Sequence, residues 1–389
     1  MHRYIITAIF ILGLQLGGFA IREVINVGIF WGTLPSSSLI SIELGSYDLI
    51  GDGHAVKTMA ENQTFLAAVS GGKVQITSGG KIIGSYHKVN LTRKVWGACF
   101  NLKGTNPKTD RRTYNDNLVL TVNGNRLKLV NSVYIEHYIA GVVEAESGSK
   151  ETFEFYKVQA IIARTYVLTN LNKYSKYGFN VCDRVNSQVY KGKSTRNPDI
   201  VRAVNATKGL VLVDSDINLI QAVFHSNSGG QTVNSEDAWS KPMGYLRSVP
   251  DTFSKDMPHY NWKTFIPEDK WLNYLKKNYK YPVEDSTYRE YVLSYCPDVR
   301  DVFLSPLDTT IRLKDIRKDW GLRSTFFTIK ASDGYVYFEG KGFGHGVGLS
   351  QEGAMKMAEL GYPYNKILHY YYKDTHLIHL SALDFFRSE

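Results

Sequence analysis

Short β-rich runs between Ile25 and Val133 are cut apart by glycine turn signals, and this punctuation most narrows what the chain can fold into. Val27 to Phe30, Phe65 to Ala68, Val74 to Thr77, Leu118 to Val122 and Leu127 to Leu129 are separated by such signals as Gly71-Gly72, Ser78-Gly79-Gly80 and Asn123-Gly124-Asn125. An isolated helix needs more than about ten uninterrupted residues, so runs this short with turns this close predict an all-β region. Asn101 to Asn117 holds Pro107 and six charged residues without periodicity, and is expected to be a polar loop, an excursion or flexible insert.

The period then changes. From Lys150 to Leu171 apolar residues recur at Phe155, Val158, Ile162 and Tyr166 with no Gly or Pro between them. That spacing predicts an amphipathic helix, with Ser149 offered as its cap. Just upstream lie Glu144 and Glu146, which would share a face in an extended segment and diverge in a helical one. Gly209 to Asp214 and Leu219 to His225 read as paired strands, followed by the polar loop Ser226 to Thr232. Pro267 opens a helix carrying Trp271, Leu272 and Leu275. Near the end, four glycines alternate around one histidine in Gly342 to Gly348. A helix to Glu359 and another from Pro363 through Tyr372 follow. The fold class expected is α+β, a β-rich N-terminal region followed by mixed helix and strand.

His2 and Arg3 precede an apolar run from Tyr4 to Ala20 that ends in small residues. This predicts a secretory signal peptide with cleavage near Ala20, the alternative being an uncleaved anchor. The chain is therefore expected outside the cytoplasm, in the periplasm or cell envelope. With 389 residues, 43% of them apolar, it needs no disulfide staples. Three widely spaced cysteines permit at most one bridge. A net charge of +9 with 26 Tyr and 18 Phe suits a surface that grips a polar or anionic polymer, although spread over this length it is also ordinary solubility charge.

Five stretches carry a resemblance: Tyr138 to Glu146 (Tyr-Ile-Ala-Gly-Val-Val-x-x-Glu), Lys157 to Tyr166, Ser226-Asn227-Ser228-Gly229-Gly230, Leu322 to Thr325, and Gly344 to Ala354. Together, from about Val133 to Tyr372, they resemble the stage II sporulation protein D family, also called the amidase-enhancer family. The organisation then expected is a signal segment over 1–20, a β-rich region over 21–132, the family's catalytic region over 133–375 and a tail over 376–389. The resemblance implies a lytic transglycosylase acting on peptidoglycan glycan strands in a glycan-binding cleft, with Glu146 as catalytic acid. It carries Lys157, Gln159, Arg164, His225, Ser226, Ser228, His345 and Gln351 over as substrate-binding residues.

Glycoside hydrolysis usually takes two carboxylates. A lytic transglycosylase needs one, because the C6 hydroxyl of the muramic acid attacks C1 and closes a 1,6-anhydro ring. Such a carboxyl requires a raised pKa. Glu144 stands as a second candidate, and an ordinary surface carboxylate is the alternative reading of Glu146. His345 would hydrogen-bond sugar groups, or only pin its loop to the core.

Two departures from the family pattern stand out. Glu146 is followed by Ser147-Gly148 where the family commonly has Met-Pro. Some members bind zinc through a Cys and a nearby His-Cys pair, but here Cys182 is followed by Asn186 and Ser187 at those places. No metal, cofactor or nucleic-acid partner is expected. The competing function is a non-catalytic peptidoglycan-binding module that recruits or stimulates a cell-wall amidase.

Overall fold

The computed structural model describes residues 24–239 and 241–387. The expected signal segment lies outside the described residues. From Val24 to Tyr134 the chain alternates buried and exposed positions, Leu118 and Leu120 inward, Val119 and Thr121 partly outward. Two largely antiparallel sheets result, of seven and six strands. Ile25, Leu49, Leu91 and Leu118 of the first meet Ile40, Phe65, Val74 and Ile76 of the second in one apolar core. The glycine pairs at 71–72 and 79–80 take the positive φ that these tight hairpins require.

The expected loop over 101–117 is instead a hairpin: Cys99–Asn106 pairs with Arg112–Asn115. Phe100, Leu102 and Tyr114 are fully buried in it. Its polar residues sit outward or at the turn, which hid the period-two pattern.

The strand Arg126–Tyr134 runs straight into helix α1 (Ile135–Ser147), so the segment holding Glu144 and Glu146 is helical. Helix α2 (Phe153–Thr169) matches the expected span, but its cap is Thr152, whose hydroxyl accepts from the Phe155 N–H at 3.3 Å. Nor is α2 amphipathic. Tyr156, Ala160, Ala163 and Val167 face the β core, while Phe155, Val158, Ile161 and Ile162 face a second core built on Val347, Leu349, Ala354 and Tyr371. An all-round apolar helix is a buried one.

Strand Leu210–Val213 pairs mainly with His376–His379 near the C-terminus, and touches the expected partner only through a bridge between Val213 and Leu219. A third core forms around Trp271, between the three-stranded sheet of Asn261–Pro267, Phe327–Ser332 and Tyr335–Lys341 and the helices Glu268–Tyr279, Ser286–Leu293 and Leu313–Trp320. The helix opened by Pro267 is present as expected. All three cysteines are free, Cys99 and Cys182 buried and Cys296 exposed. Among the described residues no helix is long and apolar enough to cross a membrane.

Arg164 on α2 lies in the interior, 0% exposed. Its Nε and Nη2 donate to both carboxylate oxygens of Glu136 on α1, at 3.0 and 2.6 Å, and Nη1 donates to the Leu210 carbonyl at 3.0 Å. Nη2 also reaches the carbonyl of Val204, on helix α3 (Pro198–Ala206). Removing one partner strands a buried charge. Arg164→Met is therefore expected to cost about 3–5 kcal/mol in urea unfolding, and the double variant Glu136→Leu/Arg164→Met to recover most of that loss.

Candidate functional site

Glu146 lies in the last turn of α1 and is half-buried. One oxygen, Oε1, accepts from the Val189 N–H at 2.7 Å, and the other has no hydrogen bond among the described residues. Beside it Tyr138 is fully buried, its hydroxyl donating to Gln188 Oε1 at 3.2 Å. The Gln188 Nε2 and the Ser147 hydroxyl are buried without partners among the described residues. Burial pushes the Glu146 carboxyl above its ordinary value of 4.5, opposed by the Val189 N–H and the Lys191 charge.

The loop that supplies Val189 is held against α1 by a close backbone approach. A Cβ on Gly141 would come within 2.1 Å of the Gly192 carbonyl oxygen. The glycine of the Tyr-Ile-Ala-Gly stretch thus seats the hydrogen-bond donor on the catalytic candidate.

Glu144 has a different environment. Its Oε2 accepts from Ser194 Oγ at 3.0 Å and from the N–H groups of Thr195 and Arg196 at 3.0 and 2.8 Å. Two residues along a helix turn about 200°, so the two carboxylates face apart. Glu144 anchors a loop, and Glu146 is the one with an open oxygen in a desolvated setting. Along the Glu144 side runs a cleft of about 450 Å³ whose basic lining includes Arg112, Lys191, Lys193 and Arg196.

The remaining sequence-predicted residues separate into three places. Arg164 is in the buried pair with Glu136 and faces no cleft. Lys157 pairs with Glu154 at 2.5 Å and lies over the rings of Phe153 and Tyr364. Gln159 is fully buried, and neither its Oε1 nor its Nε2 has a partner among the described residues.

His225, Ser226, Ser228, His345 and Gln351 gather where the loop after Phe224–His225 meets the glycine-rich stretch. His225 Nδ1 donates to the Val347 carbonyl at 3.1 Å, and its Nε2 is buried and unpartnered among the described residues. Ser228 Oγ donates to Asp251 Oδ2 at 2.7 Å. Ser226 is half-buried, and the Gln351 Nε2 is buried without a partner among the described residues. His345 has both ring nitrogens on backbone: Nδ1 accepts from the Val347 N–H at 3.1 Å, and the other bonds the Phe224 carbonyl. Burial pulls its pKa down to about 4. These contacts favour the loop-pinning reading of His345 over sugar binding.

No hydrogen bond or ring contact among the described residues joins this group to Glu146. Glu151, in the turn after α1, has its pKa raised by burial and by the Glu359 and Glu352 charges. Gln188 and Val189 were invisible in the sequence, because a backbone N–H and a loop glutamine carry no motif of their own.

The zinc ligands of some family members have no counterpart. Cys182 is buried, with its Sγ 3.6 Å from the Ser187 hydroxyl. Asp183 is taken up by the Phe30 and Trp31 N–H groups and by Arg112 at 2.9 Å. One thiol beside a hydroxyl and a committed carboxylate does not fit tetrahedral zinc. Elemental analysis of the purified protein after mild chelation is expected to find zinc far below one per chain.

A carboxyl whose pKa is higher folded than unfolded binds its proton more tightly in the folded chain. Its contribution therefore favours folding below pH 4.5 and is lost as pH rises through the folded value. Glu146→Gln removes that loss. Its thermal midpoint is expected above wild type at about pH 7.5, with the gap closing toward about pH 4 by calorimetry.

Known proteins place the chain. A family model described as stage II sporulation protein matches residues 123–213, from the last hairpin through α1, α2 and the strand at 210–213. The stage II sporulation protein D of Bacillus subtilis (strain 168) is 30% identical, covering 65% of this chain and 77% of that protein. That of Bacillus amyloliquefaciens is 31% identical, covering 67% and 78%. The protein named amidase enhancer from Bacillus subtilis is 28% identical over 85% of this chain and 54% of its own length. With α1 and α2 inside the matched residues 123–213 and two stage II sporulation protein D relatives at 30% identity or more over most of their own length, the chain belongs to the stage II sporulation protein D family.

Proposed function

We propose that this protein is exported to the cell envelope and cleaves peptidoglycan glycan strands as a lytic transglycosylase, with Glu146 moving the proton. The observation that carries this reading is the state of Glu146: desolvated enough to hold its proton above the usual glutamate range, with one oxygen fixed by Val189 and the other open. Protonated Glu146 gives its proton to the glycosidic oxygen as the C1–O bond breaks. The carboxylate left behind takes the proton of the C6 hydroxyl as that oxygen bonds C1. The 1,6-anhydro ring closes, no water is consumed, and the acid is regenerated. The basic cleft on the Glu144 face of α1, beside rather than at Glu146, suits an anionic polymer, and the orphaned Gln351 amide is a group a sugar hydroxyl or N-acetyl group would satisfy.

A second reading, a non-catalytic glycan binder that stimulates an amidase, is favoured by the relative named amidase enhancer and by the altered Ser147-Gly148 turn. Incubation with purified glycan strands, followed by mass spectrometry for anhydro-muramic ends, separates the two. Under the first, Glu146→Gln keeps strand binding but loses turnover by about 10²- to 10⁴-fold, while Glu144→Gln changes it little. Wild-type protein that binds strands, leaves no anhydro ends and speeds an added amidase is the outcome of the second.

A further inference from the structure

A second concentration of charge lies beside the glycine-rich stretch, and the catalytic reading makes no use of it. Arg300 and Arg317 form no ion pair among the described residues. Arg300 Nη2 donates to the Ser228 carbonyl at 2.6 Å, while its Nε and Nη1 are buried with no partner. Arg317 donates through Nε alone, to the Arg323 carbonyl at 3.2 Å. Burial and the neighbouring Arg317 charge pull the Arg300 pKa down to about 9, which marks a cation lacking a counter-charge. A guanidinium does not shed its proton at neutral pH, so this arrangement is costly unless an anion completes it. The chain also makes room for it: a Cβ on Gly346, where φ is +82°, would come within 2.1 Å of Arg300 Nη1.

A cavity of about 110 Å³ opens on Arg317, with Arg300 outside its lining. Arg317, Lys314, Thr325 and His345 line it, together with Trp239 and Leu313. His345, with both nitrogens on backbone, contributes a wall and no free donor. Asp237 and Asp301 also line the cavity. Each is held locally, Asp237 by Asn234 Nδ2 at 3.0 Å and Asp301 by the Val302 N–H at 2.7 Å. Their charge opposes a dianion more than a monoanion. The size admits a few heavy atoms, and the mixed lining asks for an occupant with one charged and one apolar end.

We propose that Arg317 and Lys314, with the Arg300 charge behind the cavity wall, form a pocket for a short carboxylate-bearing group whose alkyl part packs on Trp239 and Leu313. The shared chemistry has two sources in a cell wall, the lactyl ether carboxylate of a muramic acid and the terminal carboxylate of a short peptide. The pocket is independent of whether Glu146 transfers protons, and its test reads binding alone.

The experiment is isothermal titration calorimetry on the full chain at neutral pH with N-acetylmuramic acid, D-alanyl-D-alanine, N-acetylglucosamine and inorganic phosphate. Binding of either carboxylate, with none by N-acetylglucosamine, supports the pocket and identifies its source. Arg317→Gln is expected to weaken that binding roughly ten- to hundred-fold, the loss of a charged hydrogen bond. Lys314→Gln, a rim change on a surface helix that leaves folding intact, is expected to weaken it less but measurably. No binding of either carboxylate overturns the proposal. So does phosphate binding as tightly as the carboxylate, or affinity unchanged in both variants of demonstrated native fold.

Discussion

The ion pair between Arg164 and Glu136 ties helices α1, α2 and α3 to the strand at 210–213, the frame on which the candidate site is carried. One guanidinium reaches α1 through Glu136, α3 through the Val204 carbonyl and the strand at 210–213 through Leu210. A hydrophobic contact has no preferred direction, whereas this fork accepts only one rotation of α1 against α2. That rotation decides which α1 side chains turn toward the Val189 loop. Arg164 therefore acts on the site from a distance, by fixing the helix from which Glu146 projects.

Helical geometry separates two carboxylates that are almost adjacent in sequence. Glu144 receives three donors and serves as a loop anchor. Glu146 receives one donor and a desolvated setting. Neither role belongs to glutamate as such. The difference arises from the side of α1 on which each falls, and from Gly141, which lets the 189–192 backbone lie against that helix.

How much of this was legible beforehand follows from the range of the forces involved. Strand runs and glycine turns in the first region are local, so they could be read, as could α2 and the helix after Pro267. The hairpin at 99–115 was misread because its inward residues, Phe100, Leu102 and Tyr114, are diluted by polar neighbours. The pairing of 210–213 with 376–379 spans most of the family region and has no local signal. Among the candidate site residues, Glu146 was singled out through resemblance, while the burial that perturbs it comes from tertiary packing. Arg164 had the right position and the opposite role, since a conspicuous arginine in a motif looks the same whether it meets a ligand or a buried glutamate.

Helix α2 carries residues of two cores on its two faces, and that sharing governs how the molecule comes apart. The β core cannot lose α2 without exposing Phe155, Val158 and Ile162 of the second core, so these two regions are bound to open as one cooperative unit. The core around Trp271 has no such shared helix; its apolar residues all come from between Trp262 and Phe338. That segment is built to open as a separate unit at lower free energy. Amide hydrogens around Trp271 would then exchange before those of α2, although both lie in equally apolar surroundings.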